Sequence, residues 1–192
     1  MTSASNLPFL PFARPTLTDA MGDAIKETLL SYQIASGPQV LAFEKALSAY
    51  HGNRPTRVFT SATAAMEVVF QVIGVKPGDE IITSAMTFFS VGNMIEKMGA
   101  TTVFVDCDLT TRNFNLEQVE AAITPKTKVI VPTHFSGLPC EMDWLNDMAD
   151  EYGIRVVEDA ALAIGSSWRQ ENRRVWRYRD LQFSPEQKHD VD

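Results

Sequence analysis

Cysteine is nearly absent from this chain. Its 192 residues include only Cys107 and Cys140, too few for a disulfide framework and not spaced as a CxxC pair, a usage that suits a reducing cytosol. Histidine is sparse as well, three in all. Asp106 and Asp108 come nearest to a metal-ligand spacing, but nothing joins them at such spacing, and a turn accounts for both, so no metal is expected. No apolar run approaches ~18 residues, and the N-terminus lacks a basic segment followed by an apolar core, so neither a membrane span nor a secretory leader is expected. Positive charge is in deficit: a net charge of −7 offers no face for nucleic acid and none for anionic lipid. Internal repeats and low-complexity tracts are missing too. What remains, 45% hydrophobic and 21% charged, is the composition of a soluble cytoplasmic globular protein with room for one sizeable domain.

The most informative stretch is 154–165, Ile-Arg-Val-Val-Glu-Asp-Ala-Ala-Leu-Ala-Ile-Gly. Val156 and Val157 read as a short buried strand, and Asp159 falls at its end, where open α/β sheets bind ligands. The alternative is that Asp159 caps the next segment. A second stretch, Phe59-Thr60-Ser61-Ala62-Thr63-Ala64-Ala65-Met66, reads as a strand end opening into a helix. Hydroxyls and free N–H groups at a helix start make a phosphate seat. An anion seat and a buried acid on one sheet edge point to a phosphorylated cofactor with a basic nitrogen.

The three prolines at 8, 11 and 15 predict an extended arm over 1–16. Helical spacing predicts a helix over 17–32, capped by Thr18 or Asp19, then a break at Gly37-Pro38 and a second helix over 40–50. From 57 onward short buried strands (57–60, 80–84, 101–106, 128–132, 155–159) alternate with helices (62–73, 87–98, 116–123, 142–152). Pro77-Gly78-Asp79 marks a turn. This alternation predicts a mainly parallel sheet covered by helices. The expected organisation is an N-terminal arm with helices over 1–56, a partial large domain over 57–168, and an irregular tail over 169–192.

Seven collinear motifs then carry a resemblance. They are Thr60-Ser61-Ala62-Thr63, Pro77-Gly78-Asp79-Glu80, Thr87-Phe88, Val103-Phe104-Val105-Asp106, Ala122-Ile123-Thr124-Pro125, His134-Phe135-Ser136-Gly137-Leu138-Pro139 and Glu158-Asp159-Ala160-Ala161. Residues 8 to about 168 resemble the first part of the DegT/DnrJ/EryC1/StrS family of sugar aminotransferases, which depend on pyridoxal phosphate (PLP). The resemblance implies a fold type I large domain, truncated, with the C-terminal small domain absent. It implies that Ser61, Ala62 and Thr63 hold the cofactor phosphate, that Phe88 stacks on the pyridine ring, and that Asp159 pairs with the ring nitrogen. A core phenylalanine is the alternative for Phe88. His134 matches a family position near the site, where a structural histidine is the plainer reading. The family often carries Gln or His three residues after the acid; Leu162 stands there instead. A nucleotide-activated keto sugar, a glutamate-type amino donor and a homodimer are the implied partners.

The tail departs from the family pattern. The Ser-Phe-His-Pro-x-Lys-Asn motif, whose lysine forms the Schiff base, is missing, and residues 168–192 hold 5 of the chain's 10 arginines. Codons for Gln182 to Asp190 exist that, read one nucleotide along, give Ser-Phe-His-Pro-Asn-Lys-Asn-Met. A frameshift near 169–174 is therefore expected, and Lys188 is not the family's lysine. No catalytic residue is assigned, and the chain is expected to be inactive. Two other readings stay open: a non-catalytic remnant that holds cofactor or an intact subunit, and a related dehydratase, which uses His in place of Lys, with His189 nearest.

Overall fold

The computed structural model describes residues 15–166 and 182–183. Nearly all of the expected N-terminal arm, and the tail positions Lys188 and His189, lie outside the described residues. The chain divides into two compact units between Val58 and Phe59.

The first unit contains α1 (Asp19–Leu30) and α2 (Pro38–Tyr50). Thr18 caps α1, its side chain accepting the Met21 N–H at 3.4 Å. Pro38, read from sequence as a breaker, instead opens α2 behind a Gly37 cap. At the first helical position its missing N–H removes no bond. Neither helix has a buried residue, and Met21, Ile25 and Leu29 stand exposed at helical spacing. The strand expected over 57–60 does not form. The Val58 N–H donates to the Glu44 carboxylate at 3.1 Å, where a strand would use a neighbouring carbonyl.

The second unit runs α3 (Ala62–Ile73), β1 (Glu80–Ser84), α4 (Ser90–Lys97), β2 (Thr101–Val105), α5 (Leu116–Ala121), β3 (Thr127–Val131), α6 (Met142–Tyr152), β4 (Arg155–Val156), β5 (Glu158–Asp159) and β6 (Gln182–Phe183). The order β2-β1-β3-β4 makes one parallel sheet. Successive side chains leave a strand on opposite faces. Ile81, Val129 and Val131 therefore pack on one face against Met66, Phe70, Val91 and Ile95 of α3 and α4. Ile82, Ile130 and Val156 pack on the other against Val119, Leu145 and Met148 of α5 and α6. With both faces covered, the central strands read as apolar runs. Ile81, Ile82, Val129, Ile130 and Val131 are fully buried, each contributing roughly 1.5–3 kcal/mol of transfer free energy.

Two features of this topology position the site. The chain passes from β1 to β2 on one side, then to β3 on the other, so the carboxyl ends of β1 and β3 flank a topological switch point. Residues 74–79 lead from α3 straight back to the start of β1, so α3 runs against the strands and begins at their carboxyl edge. The strand expected over 155–159 is broken into β4 and β5. Its ladder with β3 is interrupted after Ile130–Val156; beyond the gap Asp159 of β5 bridges Thr133 in parallel, and β5 also pairs with β6 in a second small parallel sheet.

Candidate active site

Ser61 caps α3 with extended backbone (φ −162°, ψ 160°), and its hydroxyl accepts the Ala64 N–H at 3.1 Å. That leaves the N–H groups of Ala62 and Thr63 without an intrahelical acceptor, at the positive end of the helix dipole. Ser61, Ala62 and Thr63 thus lie at a true helix start, on the carboxyl edge of the sheet.

Phe88 follows β1 on the same edge. It is 60% exposed and stacks at a tilt on Phe89, ring centroids 4.3 Å apart, so it is not a core phenylalanine. Between it and β3, the hydroxyls of Thr87 and Thr133 share a hydrogen bond of 2.8 Å across the switch point. The helix expected from 87 begins only at Ser90.

Asp159 stands beyond β3 and β4 at that edge too. It bridges Thr133 in parallel, and its N–H donates to the Pro132 carbonyl at 2.8 Å. One carboxylate oxygen accepts the Ala161 N–H at 3.1 Å. Only 6% of its surface is exposed, and burial raises its pKa, opposed by the Ala161 N–H. Ser61, Phe88 and Asp159, far apart in sequence, therefore come from three elements to one edge.

His134, set aside at the sequence level as structural, is buried and hydrogen-bonded to Glu158, Nε2 to Oε2, at 2.9 Å. The sequence reading missed Glu158. Its one signal was position, since the residue before Asp159 on a strand must face the other way. Asn113 was missed as well: its amide accepts from the Phe135 N–H at 3.0 Å and donates to the Leu138 carbonyl at 2.9 Å. Asp108 closes a turn, its Oδ1 accepting from the N–H groups of Thr110 and Thr111; these bonds hold its carboxyl below the ordinary value. Leu162 is half exposed.

The sequence model of the DegT/DnrJ/EryC1/StrS aminotransferase family matches residues 15–183. The chain belongs to this family. The solved structure of 3-amino-5-hydroxybenzoic acid synthase is 39% identical, with a TM-score of 0.78 over 84% of this chain and 42% of that one. A Streptococcus pneumoniae protein named as a sugar aminotransferase, in its PLP-form, is 34% identical, with a TM-score of 0.74 over 79% of this chain and 43% of that one. NtdA of Bacillus subtilis, solved with bound PMP cofactor, is 34% identical, with a TM-score of 0.77 over 85% of this chain and 38% of that one. The chain therefore spans about two-fifths of the length of these three proteins. Over that span it shares the parallel sheet and covering helices of the DegT/DnrJ/EryC1/StrS fold.

Proposed function

We propose that the 192-residue chain carries the cofactor half of a PLP-dependent aminotransferase site without the lysine that completes it. The carrying observation is the buried Asp159 on the same sheet edge as the open start of α3. The donor set fits the cofactor. Ser61, Ala62 and Thr63 offer hydroxyls and N–H groups to a phosphate, Phe88 offers an exposed aromatic face, and Asp159 offers a carboxylate to a pyridinium nitrogen. When bound, PLP supplies a ring that takes up the electrons released as the substrate carbon loses its proton. Asp159 would hold the proton on the ring nitrogen, and its buried, low-dielectric surroundings would strengthen that contact.

We further propose that the whole protein works in the cytoplasm as a homodimer. There it transfers an amino group from a glutamate-type donor to a keto sugar carried on a nucleotide, for polysaccharide or deoxyamino-sugar synthesis. The name of the Streptococcus pneumoniae relative supports the sugar class.

The frameshift reading gains support from β6. The lysine-bearing motif of the shifted frame starts at Gln182–Phe183, the two residues that pair with the Asp159 strand. The decisive experiment compares the 192-residue chain with a frame-restored chain, each incubated with PLP and reduced with borohydride. Mass spectrometry should find a pyridoxyl-lysine only in the restored chain. An adduct on Lys188, or on any lysine of the chain as it stands, overturns the reading.

A further inference from the structure

We propose that His134 and Glu158 are a positioning pair for Asp159, an inference that rests on reading Asp159 as the cofactor acid. The starting point is a weakness in the sheet. The ladder between β3 and β4 is interrupted after Ile130–Val156, where Pro132 has no N–H to donate, and beyond it three backbone bonds continue in the same register, Val157 N–H to the Ile130 carbonyl, Asp159 N–H to the Pro132 carbonyl and His134 N–H to the Asp159 carbonyl. Asp159 thus sits past the interruption, held by the single bridge to Thr133, on a strand of two residues.

Side chains supply the missing constraint. His134 and Glu158 are 4% and 5% exposed. The Cys140 N–H donates to His134 Nδ1 at 3.1 Å, so Nδ1 is an acceptor and the ring proton is on Nε2. Nε2 then donates to Glu158 Oε2 at 2.9 Å. The His134 N–H donates to the Asp159 carbonyl at 3.1 Å. Residues 133–134 and 158–159 are therefore joined through both backbone and side chains. Alternation along the strand turns Glu158 inward to the imidazole and Asp159 to the opposite side. Two adjacent acids are separated into a held one and a presented one.

The loop that brings Cys140 back to His134 is itself fixed. Asn113 holds it at Phe135 and Leu138, and the Ser166 hydroxyl donates to the Gly137 carbonyl at 2.6 Å.

The test uses the full 192-residue chain labelled with 15N-histidine, with His134→Gln assigning the resonance. The His134 ring should show an unprotonated Nδ1 and a protonated Nε2, and Glu158→Gln should keep that tautomer because its amide oxygen still accepts. Glu158→Ala should speed hydrogen exchange at the His134 and Asp159 amides by about tenfold while Ile81 and Ile130 keep their protection. Glu158→Gln should restore the slow rates. PLP affinity should fall in Glu158→Ala, yet the same change in an Asp159→Asn background should cost nothing further, because the pair acts only through Asp159. A ring protonated on Nδ1, or unchanged exchange at Asp159 in Glu158→Ala, overturns the proposal. A chain whose ring and exchange behave as stated but which takes up no PLP sinks the cofactor reading and leaves the pair standing.

Discussion

Burial raises the Asp159 carboxyl above the ordinary aspartate value of 3.8. The folded state then holds that proton more tightly than the unfolded chain does. The stability this group contributes is present in full below 3.8 and is lost as pH rises through the raised value. Ionising the buried Asp159 is therefore a cost to the fold. Asp159→Asn should therefore raise the thermal midpoint at neutral pH, and the gain should vanish in acid, where the wild-type carboxyl is already neutral. The same change should weaken PLP binding by about tenfold or more, because a charge-assisted bond becomes a neutral one. Paired melting and cofactor titrations check both signs, and a lower midpoint at neutral pH would contradict the account. The thiols give a second test at this scale. Burial pushes Cys140 up to about 12, while Cys107 is only half buried. A thiol-reactive dye should label one equivalent in the native chain, at Cys107, and two in denaturant.

At the scale of elements, the loop 134–140 has little room to absorb change. Gly137 has φ +84°, and a Cβ there would stand 2.9 Å from the Leu162 carbonyl oxygen, a backbone atom that cannot swing away. Ser136 before it is also left-handed, at φ 52°. Gly137→Ala should cost about 1–3 kcal/mol, read as a lower denaturant midpoint at unchanged slope. Ser61→Ala should cost about 1 kcal/mol through the lost cap and weaken PLP as well. Elements of this kind were only partly legible in the sequence. The bounds of α3, β1 and α6 follow from apolar spacing and from caps within a few residues, all local information. The absent strand at 57–60 shows the limit: its residues suit a strand, but pairing depends on a neighbour that local pattern does not reveal. His134 and Glu158 meet across 24 residues of sequence, and nothing in either residue's own surroundings announces the other. The helix start at Ser61 and the strand position of Asp159 were legible because each ends its own local pattern.

For the whole molecule, the chain spans about two-fifths of the length of the solved proteins it matches. The purified 192-residue chain should show no transamination with any amino donor, and restoring the shifted frame together with whatever follows it should return activity. Turnover by the chain as it stands would contradict this and require another amine. The strand order has a consequence in time. β1 lies between β2, which follows it closely, and β3, which begins about 40 residues further on. At a synthesis rate of about 5–20 residues per second, β1 emerges roughly 2–8 s before β3. Through that interval Ile81 and Ile82 have a neighbour on one side only, with one edge of β1 open to chaperones or to other nascent chains. Nascent chains halted at residue 126 should therefore bind chaperone, and those halted past β5 should release it. The strand that carries Asp159 follows β3 and β4 in the chain, so vectorial synthesis should place Asp159 after the start of α3.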